Sequence, residues 1–185
     1  MSTFYKEYDL KNGKRLTIRN PEPDDAMRII EMISTMDTET EFMAREPGEF
    51  NYTEERERQL LTEFKADENC LMICAEIDGK IVGTCDSRIN SRARYRHRSS
   101  MAIGILKEYW GMGIGRLMME NGIEWSRAKG VTQIELGVDT QNERAIALYK
   151  SVGLEIQCTV RRDRRMSDGS YRDEYRMAMY LDEEI

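Results

Sequence analysis

Three glycines at alternate positions, in Trp110-Gly111-Met112-Gly113-Ile114-Gly115-Arg116, separate the apolar run MAIGIL (101–106) from an amphipathic run with Leu117, Met118, Ile123 and Trp125 at helical spacing. An apolar run, a glycine turn and a helical run in that order predict strand, tight turn and helix. Glycine carries no Cβ, so the amides of such a turn can converge on one concavity. The helix starts where they converge, and its unpaired N–H groups and positive dipole end face the same point. That is an anion site suited to a phosphate or pyrophosphate. A Walker-type loop needs Lys-Ser/Thr after the last glycine, but Gly115 is followed by Arg116-Leu117, which excludes it. A dinucleotide fingerprint counted from Gly111 would need glycine where Arg116 stands, and no βαβ unit opens the chain. By itself the turn specifies a cradle or a tight connection and no particular ligand.

The flanking sequence supplies the fold class. Residues 14–20 alternate as a strand, and Pro23-Asp24-Asp25 opens a helical pattern through Ala26, Ile29, Ile30 and Ile33. Residues 38–52 show little periodicity, and Thr53 starts a charged helix running to about Ala66. LMICAEI (71–77) and KIVGTCDSRI (80–89) flank Asp78-Gly79, a strong hairpin signal. A third strand covers 95–106, and Gly130 closes the helix that follows the glycine turn. Then come a strand at 132–140, a helix from Asn142 through Tyr149, and strands at 154–163 and 171–182 around Ser167-Asp168-Gly169. With 185 residues, 40% of them hydrophobic, the chain supports one cored domain spanning 1–185. The expectation is a mixed α/β domain, with about seven strands in a largely antiparallel sheet and about four helices.

Several function classes drop out. A net charge of −6 offers no basic footprint for nucleic acid and mildly favours cationic partners. Cys70, Cys74, Cys85 and Cys158 lack zinc spacing, and His97 is the single histidine, so no metal is expected. No stretch approaches a membrane span, and the first residues lack the apolar core of a signal peptide, which predicts a cytoplasmic protein with reduced cysteines.

A second motif gives the cradle its ligand. Asn142-Glu143-Arg144-Ala145-Ile146-Ala147-Leu148-Tyr149-Lys150-Ser151-Val152-Gly153-Leu154 follows the turn one strand later. Together the two resemble the GNAT superfamily of N-acetyltransferases, with its R/Q-x-x-G-x-G/A turn and N-x-x-A-x-x-L-Y-x-x-x-G-F segment. Trp110 replaces the Arg or Gln, and Leu154 the Phe; neither change removes a backbone amide. The resemblance covers about 70–182, and within the superfamily it leans toward the branch with ribosomal-protein N-terminal and small-amine acetyltransferases.

The resemblance implies a sheet splayed at the cofactor strand and an acetyl-CoA-dependent N-acetyltransferase acting on a primary amine. It also implies that Trp110, Gly111, Met112, Gly113, Ile114, Gly115 and Arg116 hold the pyrophosphate. Ile103 and Ile105 would pair with the pantetheine arm, Asn142 and Ala145 would lie along it, and Tyr149 would be the general acid. Relatives often form homodimers. A phenol suits the acid role because its unperturbed pKa of ~10 keeps it protonated at neutral pH until a thiolate leaves. For the base, Asp86, His97, Glu135 and Asp139 are candidates; Glu135 and Asp139 share one strand face, while His97 stands among arginines that disfavour its charged form. The arginines at 88–98 and at 161, 162, 164 and 165 read as a solvated edge, with binding of RNA or recognition of an acidic substrate the open alternative. A non-catalytic acyl-CoA sensor with the same cradle is the alternative reading.

Overall fold

The structure is a computed structural model, and it describes residues 4–182. Hydrogen bonds link eight strands in the order β1-β2-β3-β4-β5-β6-β8-β7. The strands are β1 (Tyr5–Asp9), β2 (Arg15–Arg19), β3 (Cys70–Ile77), β4 (Lys80–Ile89), β5 (Arg98–Ile105), β6 (Gln133–Asp139), β7 (Glu155–Arg165) and β8 (Tyr171–Tyr180). The helices are α1 (Ala26–Glu39), α2 (Glu54–Ala66), α3 (Ile114–Ala128) and α4 (Glu143–Ser151). The mixed, mostly antiparallel sheet and the four α-helices match expectation, but the strand count of about seven is corrected to eight. β1 was the one overlooked: its sequence YKEYD is polar on both faces and carries no apolar alternation. It forms because Gly13, with φ 81°, turns the chain back so that Tyr5–Asp9 pairs antiparallel with Arg15–Arg19.

The chain forms two compact units. The first combines the chain up to Arg88 with Ala102–Gly122, and the second joins Ile89–Met101 to the chain from Ile123 onward. In the first, β1–β4 form an antiparallel meander whose inward positions Leu16, Ile18, Ile73, Ile77 and Ile81 are at most 2% exposed. Burying side chains of this size stabilises by about 1.5–3 kcal/mol each before entropy is counted. The β3–β4 hairpin turns at Asp78 (φ 51°) and Gly79 (φ 76°), the left-handed pair that an Asp-Gly hairpin requires. Thr53 caps α2 as predicted, its Oγ1 accepting from the Arg56 N–H at 3.2 Å. Asn121 of α3, 4% exposed, accepts from Lys6 Nζ and donates to Tyr8 Oη, both at 2.8 Å. Those bonds explain why the inward-leaning residues of β1 are polar.

In the second unit β6, β8 and β7 are antiparallel neighbours, with Ile134, Leu136, Val138, Met177 and Leu154 buried. The opening half of β5 pairs parallel with β6 over Arg98–Ser100.

β4 and β5 approach closely at Gly83. A Cβ there would lie 2.7 Å from the Gly104 carbonyl oxygen and 2.9 Å from Ile105 Cγ1. The obstruction is backbone and cannot rotate away. Gly83→Ala is therefore expected to cost about 2 kcal/mol of stability, read as a lower urea midpoint at unchanged slope. A midpoint equal to that of the wild type would refute the close approach.

Candidate functional site

The glycine turn begins where β5 ends. A 3-10 turn, Lys107–Tyr109, leads to Trp110, and α3 starts at Ile114. Gly111 and Gly113 have φ of 80° and 84°, a region in which an L side chain is strained. Gly115 is not in that region and lies in the first turn of α3, so the turn's shape rests on two glycines rather than three. The first hydrogen bond closing α3 runs from the Leu117 N–H to the Gly113 carbonyl at 3.2 Å. The N–H groups of Ile114, Gly115 and Arg116 thus precede the helix's own ladder, as in an anion-binding N-terminus. A Cβ at Gly113 would meet nothing within 4 Å, so the space over the turn is open. Ile114, Met118 and Met119 are at most 1% exposed and fix the helix that holds these amides.

Trp110, the departure from the familiar motif, has a structural use. Its indole N–H donates to the Ile105 carbonyl at 2.7 Å, tying the turn to the strand it leaves. Arg116 is exposed and pairs with Glu120 at 2.9 Å, one helical turn on. Ile103 and Ile105 are half-buried on the outgoing half of β5, beyond the last β5–β6 pair, Ser100–Glu135. The parallel ladder spans three residue pairs, from Arg98–Gln133 to Ser100–Glu135.

Asn142 is the N-cap of α4, its Oδ1 accepting from the Ala145 N–H at 3.1 Å. Tyr149 lies two turns further along, 7% exposed. Gly153, with φ 101°, ends the helix against Met179. Asn142, Ala145 and Tyr149 therefore share one short element, as their spacing predicts.

The candidate bases separate sharply. Glu135 is ion-paired with Arg98. Asp139, with its side chain 1% exposed, accepts from Arg164 at 2.6 Å and from the Gln141 N–H at 2.8 Å. Both carboxylates are engaged by arginine. His97 is an exposed side chain at the entry to β5. Asp86 differs. It lies half-buried on β4, and burial pushes its carboxyl above the usual carboxylate range despite Arg88 at 3.2 Å. Arg88 in turn stacks 4.4 Å from the Phe64 ring centroid. Several arginines read as a solvated edge thus hold partners: Arg88, Arg98 and Arg164 are ion-paired. Alternation alone could not show this, because the acids they meet lie elsewhere in the chain or on the same strand face.

A carboxylate near Gly137 had no sequence signal at all. Glu174 folds over β6 so that a Cβ at Gly137 would stand 2.4 Å from its Oε1, and burial raises its carboxyl.

The described residues contain no group of three or more His, Cys, Asp or Glu arranged to hold a metal ion. None of their helices is long and apolar enough to cross a membrane.

Residues 32–154, which include both motifs, match the family model for the acetyltransferase (GNAT) family. A GNAT-family acetyltransferase from Streptococcus pneumoniae superposes with a TM-score of 0.85 at 31% identity, over 89% of this chain and 99% of that one. The chain belongs to the GNAT family. The L-amino acid N-acetyltransferase AaaT of Escherichia coli K12 is 33% identical over 110 residues, 57% of this chain and 65% of that protein. The fold is also that of yncA from Salmonella typhimurium, solved with its cofactor acetyl-CoA, at 20% identity, TM-score 0.77 and coverage of 91% and 95%. The aligned part of the chain spans 41% and 65% of two curated N-acetyltransferases that it matches.

Proposed function

We propose that the chain is a single-domain, acetyl-CoA-dependent N-acetyltransferase that moves an acetyl group to a primary amine. The observation that carries this reading is the backbone cradle at Gly111–Arg116, built by two left-handed glycines at the head of a buried-face helix. Family membership directs that cradle to the pyrophosphate of acetyl-CoA, and the coenzyme bound to yncA supports the same ligand.

Acetyl-CoA presents a thioester carbon to the acceptor. The attacking nitrogen must first be neutral, and Asp86 is the base we assign to that proton, directly or through one water. Its raised pKa favours holding the proton while the nitrogen lone pair attacks. The new C–N bond forms as the carbonyl becomes an oxyanion, which backbone N–H groups of the splayed strand can stabilise. The C–S bond then breaks, the Tyr149 hydroxyl gives its proton to the departing thiolate, and the proton that the nitrogen sheds on becoming an amide returns to the Tyr149 phenolate through water. Asn142 and Ala145 would lie along the pantetheine arm, and Ile103 and Ile105 would pair with it through their backbone groups.

A pH profile tests the base. Asp86 accepts a proton only when ionised, so kcat/KM should rise with pH through its folded-state pKa. That acidic limb should lie above the ordinary carboxylate value of about 3.9. Asp86→Asn should lower kcat/KM about a hundredfold and remove the limb. An unchanged limb in the variant would reject Asp86. The wider reading is tested by coenzyme A thiol release with a panel of amines and peptides. Coenzyme A binding without turnover for any acceptor would replace it with the acyl-CoA sensor.

A further inference from the structure

The net charge of −6 is an average, and the cations are not spread evenly along the chain. Residues 90–100, NSRARYRHRSS, hold Arg92, Arg94, Arg96, Arg98 and His97 and no acid. Elsewhere arginines hold carboxylates: Arg19 and Arg28 meet Asp25, Arg45 meets Asp37, and Arg58 meets Glu54. Within 90–100 it is Arg98 that does so, on Glu135. Arg92, Arg94 and Arg96 are exposed and form no ion pair among the described residues. The local backbone holds them outward. Asn90 Oδ1 accepts from the Arg92 N–H at 3.0 Å, and the Arg92 carbonyl accepts from the Tyr95 N–H at 2.8 Å, closing a 3-10 turn over Ala93–Tyr95. Tyr95 stands among these cations 44% exposed.

The basic surface extends to the end of α3. The His97 carbonyl accepts from the Thr132 N–H at 2.9 Å and the Gln133 N–H at 3.0 Å, which sets the stretch beside the turn leaving that helix. The turn carries Arg127 and Lys129, also exposed and also without an ion pair among the described residues. Asp182 reaches the same end, since the Leu181 N–H meets the Thr132 carbonyl at 2.8 Å, and cations remain in excess there. Thr132 and Gln133 open β6, whereas Asn142 follows its far end. At about 3.3 Å per residue, β6 holds the two ends about 20 Å apart. Acetyl transfer at α4 therefore gives this surface no task.

Guanidinium groups fork onto phosphate oxygens, so an acid-free cluster of them suits a phosphodiester chain. An acidic peptide would meet the same charges but makes no use of an exposed aromatic ring, on which an unpaired base stacks. Exposed Asn90 and Ser91 add amide and hydroxyl partners for a ribose 2′-OH. We propose that residues 90–97, with Arg127 and Lys129, form a docking surface for single-stranded RNA.

A labelled oligouridine of about ten nucleotides is titrated with the whole protein by fluorescence anisotropy at several salt concentrations. A Kd of about 10 μM is expected at about 0.1 M salt, weakening steeply as salt rises. Arg92→Glu combined with Arg94→Glu should weaken binding at least about tenfold and flatten the logarithmic salt slope by about 1.4, since each phosphate contact carries about 0.7. Tyr95→Ala should weaken binding about fivefold or more at unchanged slope, because stacking releases no counterions. Arg161→Glu combined with Arg165→Glu makes the same charge change on β7 and should leave the affinity within about twofold. Coenzyme A affinity and thermal midpoint should stay at wild-type values throughout. No binding by the wild type, or equal losses from the two arginine pairs, overturns the inference. Oligodeoxyuridine bound as tightly as the RNA would overturn the choice of RNA, and an oligoglutamate bound more tightly would give the surface to an acidic protein instead. Should the double glutamate variant fold poorly, Arg92→Ala combined with Arg94→Ala must show the same flattened slope.

Discussion

Tyr149→Phe is expected to lower kcat for acetyl transfer about a hundredfold while the KM for acetyl-CoA stays within about threefold. The expectation follows from what the phenol does. A thiolate expelled without a proton is the poorer leaving group, and a positioned acid typically contributes a factor of about 10²–10⁴. Phenylalanine keeps the ring that α4 buries at 7% exposure, so the change removes a proton donor and little packing. The measurement is steady-state thiol release beside a thermal midpoint. A kcat within about twofold of wild type, with the fold intact, would strip Tyr149 of its role and return it to the core as an ordinary aromatic.

Gly113→Val should have the second large effect, on affinity. The residue sits at φ 84°, which a β-branched side chain can scarcely adopt, while nothing lies within 4 Å of the added Cβ. The damage would thus come from backbone strain in the cradle rather than from a clash. Relieving that strain means swinging the Ile114–Arg116 amides away from their common point, and the pyrophosphate would lose its donors together. Coenzyme A affinity measured by calorimetry should fall at least about tenfold, since the loss of even one charge-assisted hydrogen bond is worth about 1.5–3 kcal/mol. Gly115→Ala, at a position with helical backbone, should be far milder. Equal losses at the two positions would mean that the turn's conformation is not what binds.

The parts of the site legible in the sequence were those encoded by neighbours along the chain. A glycine turn, a helix cap and a tyrosine seven residues after it are local patterns, and the structure places Asn142, Ala145 and Tyr149 on one element as their spacing predicts. The Asp78-Gly79 hairpin was legible for the same reason. What stayed hidden depends on partners distant in sequence. β1 is held by Lys6 and Tyr8 meeting Asn121, a contact no pattern within YKEYD could announce. The base could not be chosen either, because Glu135, Asp139 and Asp86 look alike until burial is known to raise the Asp86 carboxyl, arginine pairing with all three.

Burial has also sorted the four thiols by reactivity. Cys74 is pushed up to about 12, Cys70 to about 11, and Cys85 higher still by its apolar surroundings, while Cys158 is exposed on β7. A thiol reagent acts on the thiolate, so three of the four are nearly inert near neutral pH. The exposed sulfur that the protein brings into any assay that counts released coenzyme A is therefore that of Cys158. Among the thiols, the exposed target for oxidation is Cys158, on the strand at the edge of the sheet.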